Sequence, residues 1–514
     1  MPRSSIATQF HELTKYAPET IGQGHEIDWA HPPEQFKVYR GAESVDLTPY
    51  LPMGDSLVFK EAVGGLKDAE GPLSLINLSK LFLFTNGVTA VARGQGQEQF
   101  FRAAPSAGAL YPTELYLLVR GHADLADGVY NYNVRNHSLA EVYPRGLGPD
   151  GPELFEKLSA ACLGHPALKD CNAAVVATAI YFRSAWRYGP RGFRRCMLDS
   201  GHVLGNFDLM VPRLGLCTAA IGGFVDDEMA QILDITSSQE GVLGVFPLHP
   251  KLLYPEISGG VSALPSDPYA DAFEAEPAQL LKSIHDATCI LRADAATIRT
   301  AAGVDAPAES GRHETLGAIK LAPSGADAAA DVEHTILRRR STRNLTGEGL
   351  SLRELSDVLS FAYRADLSVG PEGRPRFFDP GMLHSYVVVH DVAGLQPGVY
   401  HYAPDFNELR LVKQGNFRED TYHIALGQEL ARDAGAVVIH MADLRAALER
   451  YGNRCYRYLH LDAGHLGQRM NLAAIRFRVG VSGIGGFFDD EVNALIGARD
   501  SDFCVYITCL GRPA

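Results

Sequence analysis

A chain that repeats itself has fewer ways to fold than its length suggests, and this one repeats. Tyr188-Gly189-Pro190-Arg191-Gly192-Phe193-Arg194, leading to Leu198-Asp199-Ser200-Gly201-His202, recurs as Tyr451-Gly452-Asn453-Arg454-Cys455-Tyr456-Arg457, leading to Leu461-Asp462-Ala463-Gly464-His465. The offset from Tyr188 to Tyr451 is 263 residues, and the same offset carries Ile221-Gly222-Gly223-Phe224-Val225-Asp226-Asp227-Glu228 onto Ile484-Gly485-Gly486-Phe487-Phe488-Asp489-Asp490-Glu491. Two separated motifs kept in one register mark a duplication. Upstream the register drifts by a few residues, as loop insertions require: Tyr116 to Val119, Gly128 to Tyr132 and Leu73 to Leu75 match Tyr386 to Val389, Gly398 to Tyr402 and Leu350 to Leu352. At about 150 residues per domain, 514 residues suggest three domains. The repeat replaces that with two copies of one fold, each of about 200 residues.

The expected organisation is an N-terminal extension over 1–50, a first copy over 51–290, an Ala/Pro/Gly-rich linker over 291–332 and a second copy over 333–514. Leu73–Phe84 and Leu350–Tyr363 have helical spacing, as do the longer segments Phe193–Leu214 and Tyr456–Val479. Leu115–Val119 and Tyr386–Val389 are short β-rich runs. The apolar runs Ala174–Tyr181 and Ala434–Met441 suit central strands covered on both faces, and Val242–Phe246 and Cys504–Leu510 close the copies with a further strand. The expected class is α+β.

Charge excludes one class of partner. With 47 Lys+Arg against 61 Asp+Glu the net charge is −14, which repels nucleic acid on average. The opening residues Met1–Glu12 carry no apolar run of secretory-signal length, and no segment approaches the roughly 18 apolar residues of a membrane span, so a cytoplasmic protein with no membrane partner is expected. Eight cysteines without a C-x-x-C pair, most within apolar runs, read as reduced core residues; no metal site is expected.

The common catalytic motifs fail. Gly94-Gln95-Gly96-Gln97-Glu98-Gln99 lacks the third glycine of a dinucleotide fingerprint, and Ala104-Pro105-Ser106-Ala107-Gly108 lacks the glycine two residues before the serine of a hydrolase elbow. Asp226-Asp227 and Asp489-Asp490 read as helix N-caps. His202 and His465, each after a glycine at the same helical position, read as structural residues before catalysts. What remains is Arg338-Arg339-Arg340-Ser341-Thr342-Arg343, whose guanidinium forks and hydroxyl suit a phosphate. A solvated linker end has the same composition; the R-R-S-x-R spacing favours the phosphate.

Arg339-Arg340-Ser341-Thr342-Arg343, the loop Pro105-Ser106-Ala107-Gly108-Ala109-Leu110-Tyr111-Pro112, the two Tyr-Gly-x-Arg segments and the two Ile-Gly-Gly-Phe-x-Asp-Asp-Glu segments together resemble the nitroreductase superfamily, specifically its SagB-type branch of McbC-like azoline dehydrogenases. Phe10 to Lys15 is similar to that branch's extension. The resemblance implies a tandem nitroreductase-like fold whose copies form an intramolecular pseudo-dimer, with FMN held where they meet. It implies that Arg339, Arg340, Ser341 and Arg343 bind the FMN phosphate, with Arg512 as a further helper. Gly485 and Gly486 would bring backbone N–H groups to the ring, Gln428 would lie near it, and Pro105, Ser106, Ala107 and Gly108 would come across from the other copy. A Lys-Tyr pair assists proton removal in that branch; here the pairs are Arg187-Tyr188 and Arg450-Tyr451, and arginine stays protonated, so it is no general base. Tyr188 or Tyr451 is left either as an acid or base or as packing against the ring.

The copies have not kept the same parts. Arg339–Arg343 falls on Ala62-Val63-Gly64-Gly65-Leu66 in the first copy, and Gln428 on His165, while Pro105–Pro112 falls on Pro375-Arg376-Phe377-Phe378-Asp379-Pro380-Gly381-Met382 in the second. One FMN site built from one half of each copy is therefore expected. The implied activity is hydride transfer between flavin N5 and a small-molecule or peptide-derived substrate, in natural-product or modified-peptide biosynthesis, alongside a biosynthetic partner enzyme or further oligomerisation. The alternatives are a flavin-less scaffold that docks a partner, and a generic NAD(P)H-dependent nitro or quinone reductase.

Overall fold

The computed structural model describes residues 4–22, 25–51, 71–94, 97–144, 146–250, 263–264, 269–270, 279–292, 299–300, 315–325, 331–363 and 378–514. Ala62–Leu66, Pro375–Phe377 and much of the expected linker lie outside the described residues.

Each copy builds one seven-stranded antiparallel sheet. The first holds β1 (Ser44–Asp46), β2 (Thr113–Val119), β3 (Gly128–Asn133), β4 (Ser138–Glu141), β5 (Ala173–Ile180), β6 (Leu216–Cys217) and β7 (Glu240–Pro250) in the order β1-β4-β3-β2-β5-β7-β6. The second holds β8 (Gly317–Lys320), β9 (Leu383–Val389), β10 (Gly398–Ala403), β11 (Glu408–Gln414), β12 (Ala436–Asp443), β13 (Gly480–Ile484) and β14 (Asp502–Gly511) in the order β8-β11-β10-β9-β12-β14-β13. The two orders are one order written twice, so the fold is a tandem of two α+β units. β5 and β12, the apolar runs, sit inside their sheets with side chains buried on both faces. One expectation is corrected: within the expected linker, Gly317–Lys320 pairs with β11 as an edge strand. Four residues are too few to show a period of two above the surrounding Ala and Gly.

The copies join through two long helices, α4 (Gly192–Arg213) and α8 (Cys455–Arg476), which follow the shorter α3 (Tyr181–Tyr188) and α7 (Leu444–Tyr451). They cross at Gly201 and Gly464. A Cβ on Gly201 would stand 2.2 Å from the Leu461 carbonyl oxygen, and one on Gly464 2.1 Å from that of Leu198, so only glycine allows this approach. Beside the crossing, Asn206 Oδ1 accepts from Gln468 Nε2 at 2.7 Å. Outside it lie α2 (Leu75–Asn86) against α4 and α6 (Leu352–Tyr363) against α8. No described helix is long and apolar enough to cross a membrane.

Two buried ion clusters lock the pair with the symmetry of an isologous interface. Arg191 and Arg194 of the first copy hold Asp489 of the second at 3.2 and 2.8 Å, and Arg454 and Arg457 of the second hold Asp226 of the first at 2.6 and 2.8 Å. This corrects the reading of these carboxylates as N-caps. They begin α5 (Asp226–Ile232) and α9 (Asp489–Ile496), whose caps are Val225 and Phe488 without side-chain bonds. The guanidiniums hold both carboxyls below their usual range despite burial, Asp489 at about 2.

The N-terminal extension seats α1 (Ile6–Thr14) on this interface. The Ser5 side chain caps it, and Phe10 stands edge-on to Phe193 of one copy and Tyr456 of the other, at 5.9 and 5.6 Å. The eight cysteines are free thiols, seven of them buried.

Candidate functional site

A cleft of about 370 Å³ opens between the copies, within the roughly 300–1,000 Å³ of small-ligand and cofactor sites. The first copy supplies Pro105, Ser106, Ala107 and Gly108 together with Tyr188, Arg195, Asp199 and His202; the second supplies Ser341, Arg343, Gln428, Asn471 and the β13 end from Ser482 to Gly486. Tyr16, from the extension, Leu198, Leu426 and Tyr506 complete the wall.

The Pro105–Pro112 loop is held in a tense shape. Gly108, Ala109 and Tyr111 all have positive φ, at 64, 55 and 47°, which L side chains rarely adopt. Asp199 enforces it: the Ser106 hydroxyl donates to its carboxylate at 2.6 Å, the Ala107 N–H donates at 3.1 Å, and Ser106 Oγ accepts from the Tyr111 N–H at 2.8 Å. Burial pushes the Asp199 carboxyl up to about 7, against the pull of these donors. Asp462 does the same for the other copy, accepting from the Phe378 and Asp379 N–H groups at 2.9 and 2.8 Å, and burial pushes it up to about 8.

On the opposite wall β13 is kept thin. A Cβ on Gly483 would meet the Tyr506 hydroxyl at 1.7 Å and one on Gly485 would meet Arg195 Nη1 at 1.5 Å, so bulk at either position would displace a cleft side chain. His202 is neutral, held by burial at about 4. Its Nδ1 faces the Leu198 carbonyl, which only accepts, so Nδ1 carries the proton and Nε2 accepts from Tyr506 at 3.2 Å. Among the described residues, two buried polar atoms in the cleft wall have no hydrogen-bond partner, Arg195 Nε and Asn471 Oδ1. Burial raises the Tyr188 phenol, so it keeps its proton at neutral pH.

The structure brings together most of the residues that the sequence singles out, but not all. Ser341, Arg343, Gln428, Gly485, Gly486, Pro105, Ser106, Ala107, Gly108 and Tyr188 line the cleft. Arg339 does not. It is buried, and its Nε and Nη2 donate to the carbonyls of Ala103 and Arg102 at 2.8 and 3.1 Å, clamping the root of the first copy's loop. Arg340 lies over the Phe101 ring and donates to Thr89 at 3.4 Å. Arg512 is committed to both oxygens of Glu354, at 2.6 and 2.8 Å. Tyr451 donates to Asp379 and accepts from Arg450, which itself pairs with Asp379 at 3.0 Å, so neither reaches this cleft. Arg187 is exposed beside Gly108. Arg195, Asp199, Tyr16, Asn471 and Tyr506 were not singled out. The one local signal is that 195 differs between the copies, arginine in the first and Tyr458 in the second.

The equivalent place on the other side of the pseudo-twofold is closed, with only about 10 Å³ between Phe378, Asp462, His465 and Phe246. Phe378 stacks on Tyr458 at 5.1 Å, and both rings lie where a Cβ on Gly222, the counterpart of Gly485, would stand.

A family model described as the Nitroreductase family matches residues 77–248 and again 336–512. A crystal structure of a protein from Anabaena variabilis assigned as a nitroreductase superposes with a TM-score of 0.85 at 39% identity, over 99% of this chain and 100% of that one. A protein of Methanocaldococcus jannaschii assigned as a nitroreductase is 35% identical over 164 residues, 32% of this chain and 76% of the relative. The trifolitoxin operon protein TfxC of Rhizobium leguminosarum bv. trifolii is 30% identical over 224 residues, 40% of this chain and 62% of TfxC.

Proposed function

Since the chain belongs to the nitroreductase family, in its McbC-like branch and as two tandem copies, we propose that this oxidoreductase binds one FMN in the cleft between its copies and uses it to move a hydride to or from a small or peptide-derived substrate. The observation that carries the reading is the asymmetry of the two clefts: about 370 Å³ where the Pro-Ser loop of one copy meets Ser341 and Arg343 of the other, and about 10 Å³ at the counterpart.

The residues fit the group. At one end the Ser341 hydroxyl and the exposed Arg343 guanidinium suit a phosphate. In the rest of the wall, the orphaned Arg195 and Asn471 atoms call for a polar ligand edge. FMN supplies the two-electron chemistry that no side chain here provides. The chain's own work is to orient and to handle protons. Asp199 holds the loop that closes one wall, and near neutrality it can hold or release a proton. The Tyr188 hydroxyl, beside Gly108, is an acid that stays protonated. The likeness to a trifolitoxin operon protein favours a peptide-derived substrate.

The test is flavin retention. Purified protein should show flavin absorbance, and Arg343→Ala should weaken FMN binding by tenfold or more, the scale of one lost charge-assisted hydrogen bond of about 1.5–3 kcal/mol, without changing the far-UV spectrum. A colourless protein that takes up no added FMN, or a variant with full occupancy, contradicts the assignment.

A further inference from the structure

The last turns of α3 and α7 carry the same pair of side chains, Arg187-Tyr188 in the first copy and Arg450-Tyr451 in the second. Each pair is followed by a glycine with positive φ, 54° at Gly189 and 56° at Gly452, so the backbone repeats here. The surroundings do not. On the closed side both groups converge on one carboxylate: the Tyr451 hydroxyl donates to Asp379 Oδ2, and Arg450 Nε pairs with the same oxygen at 3.0 Å.

The open side lacks that acid. Asp379 belongs to the stretch that matches the Pro-Ser loop, where at an offset of 270 residues it falls on Ala109, and no residue from Pro105 to Pro112 is acidic. The Tyr188 hydroxyl and Arg187 Cδ still reach the loop of their own copy, each 3.1 Å from where a Cβ on Gly108 would stand. Among the described residues the Arg187 guanidinium has no hydrogen bond or ion pair; it lies 5.9 Å from the centre of the Tyr188 ring, whose hydroxyl is also without a partner. The cleft supplies no substitute. Tyr188 and Gly108 line it, and its one carboxylate among the described residues, Asp199, is engaged by the Ser106 hydroxyl and the Ala107 N–H. Arg195 and Arg343 are further cations in its wall, so a chain of net charge −14 gathers positive charge at this place.

We infer that the substrate carries a carboxylate that stands, on the open side, where Asp379 stands on the closed side, accepting from the Tyr188 hydroxyl and from the Arg187 guanidinium. This rests on the FMN reading above and gives the substrate its class, a small or peptide-derived acid. A guanidinium fork matches carboxylate geometry, and the phenol adds a second donor. The pair binds and orients; it takes no part in bond making. A neutral analogue leaves the guanidinium without its anion, so the pair selects by charge.

The experiment measures, by calorimetric titration, how FMN-loaded protein binds N-benzoylglycine and its neutral amide, N-benzoylglycinamide. Wild type should prefer the acid by at least about fivefold, the upper range for an ion pair at a partly exposed site. Arg187→Gln should keep its FMN and bind acid and amide about equally, Arg187→Lys should recover part of the preference, and Tyr188→Phe, which removes only the hydroxyl, should roughly halve it. Equal binding by wild type, or no binding of the acid up to its solubility limit, overturns the inference while leaving the FMN site standing. A preference unchanged in Arg187→Gln or in Tyr188→Phe overturns it as well. So does loss of FMN from Arg187→Gln, which would place Arg187 on the cofactor. A wild-type protein that takes up no FMN overturns both readings.

Discussion

The two ion clusters provide an internally controlled experiment. Asp489 is 1% exposed and accepts from Arg191, Arg194 and the Tyr16 N–H, the last at 2.9 Å. Its carboxyl is held at about 2 against an ordinary 3.8, the two guanidiniums outweighing burial and favouring the charged form. Asp489→Asn keeps the shape, removes the charge and leaves two guanidiniums buried without compensation, a change that typically costs about 3–5 kcal/mol. With an unfolding entropy of about 2.1 cal/mol/K per residue over roughly 400 cooperatively folded residues, this lowers the Tm by about 4–6 °C. Asp226→Asn removes the counterpart, held by Arg454, Arg457 and the Ile290 N–H at 2.8 Å, and should cost about as much. The two should differ in flavin. Asp489 holds Tyr16, on whose ring Arg191 lies at 3.8 Å and which walls the open cleft; Asp226 holds the closed side. Thermal unfolding and FMN retained after gel filtration read both effects. The expected result is a similar loss of Tm in both variants, with loss of FMN in Asp489→Asn alone. Equal loss of FMN would refute the asymmetry, and a Tm change under about 1 °C in both would refute the role of the clusters.

Other outcomes follow from the same geometry. Phe378→Ala should destabilise by about 2–3 kcal/mol, below the 3–5 kcal/mol of a fully buried phenylalanine because Phe378 is partly exposed, and should leave FMN stoichiometry unchanged in absorbance against protein concentration. Asp199 and Asp462 have raised folded-state values, about 7 and 8, against 3.8 unfolded. Between pH 4 and 7 the folded protein therefore holds protons that the unfolded chain has released, and stability falls as pH rises through that window, by up to about 1.4 kcal/mol per pH unit for each group. Denaturant titrations from pH 5 to 8 should show this slope, and Asp199→Asn with Asp462→Asn should flatten it; a slope unchanged in the double variant contradicts the assignment.

Much of this was legible in the sequence, for identifiable reasons. The offset of 263 residues fixed two equivalent folds, and the apolar runs of β5 and β12 and the periodicity of α4 and α8 placed the central strands and helices. The closed cleft was foreshadowed where Phe378 replaces the small residues of the Pro-Ser loop. Local pattern failed where long-range contact decides the role. Composition does not say which arginines of a cluster turn inward, and Arg339 turns to carbonyls 236 and 237 residues away. Asp226 and Asp489 resemble caps because acids gather at helix starts; the repeated Arg-x-x-Arg pairs that hold them sit in the other copy. Arg195 and Asp199 owe their character to burial, which no local spacing records.

The central claim is one flavin site made by two copies that each kept half. FMN released by acid from purified, FMN-saturated protein, quantified against chain concentration by amino-acid analysis, tests it most directly. The account predicts one FMN per chain; two per chain, or none, would contradict it.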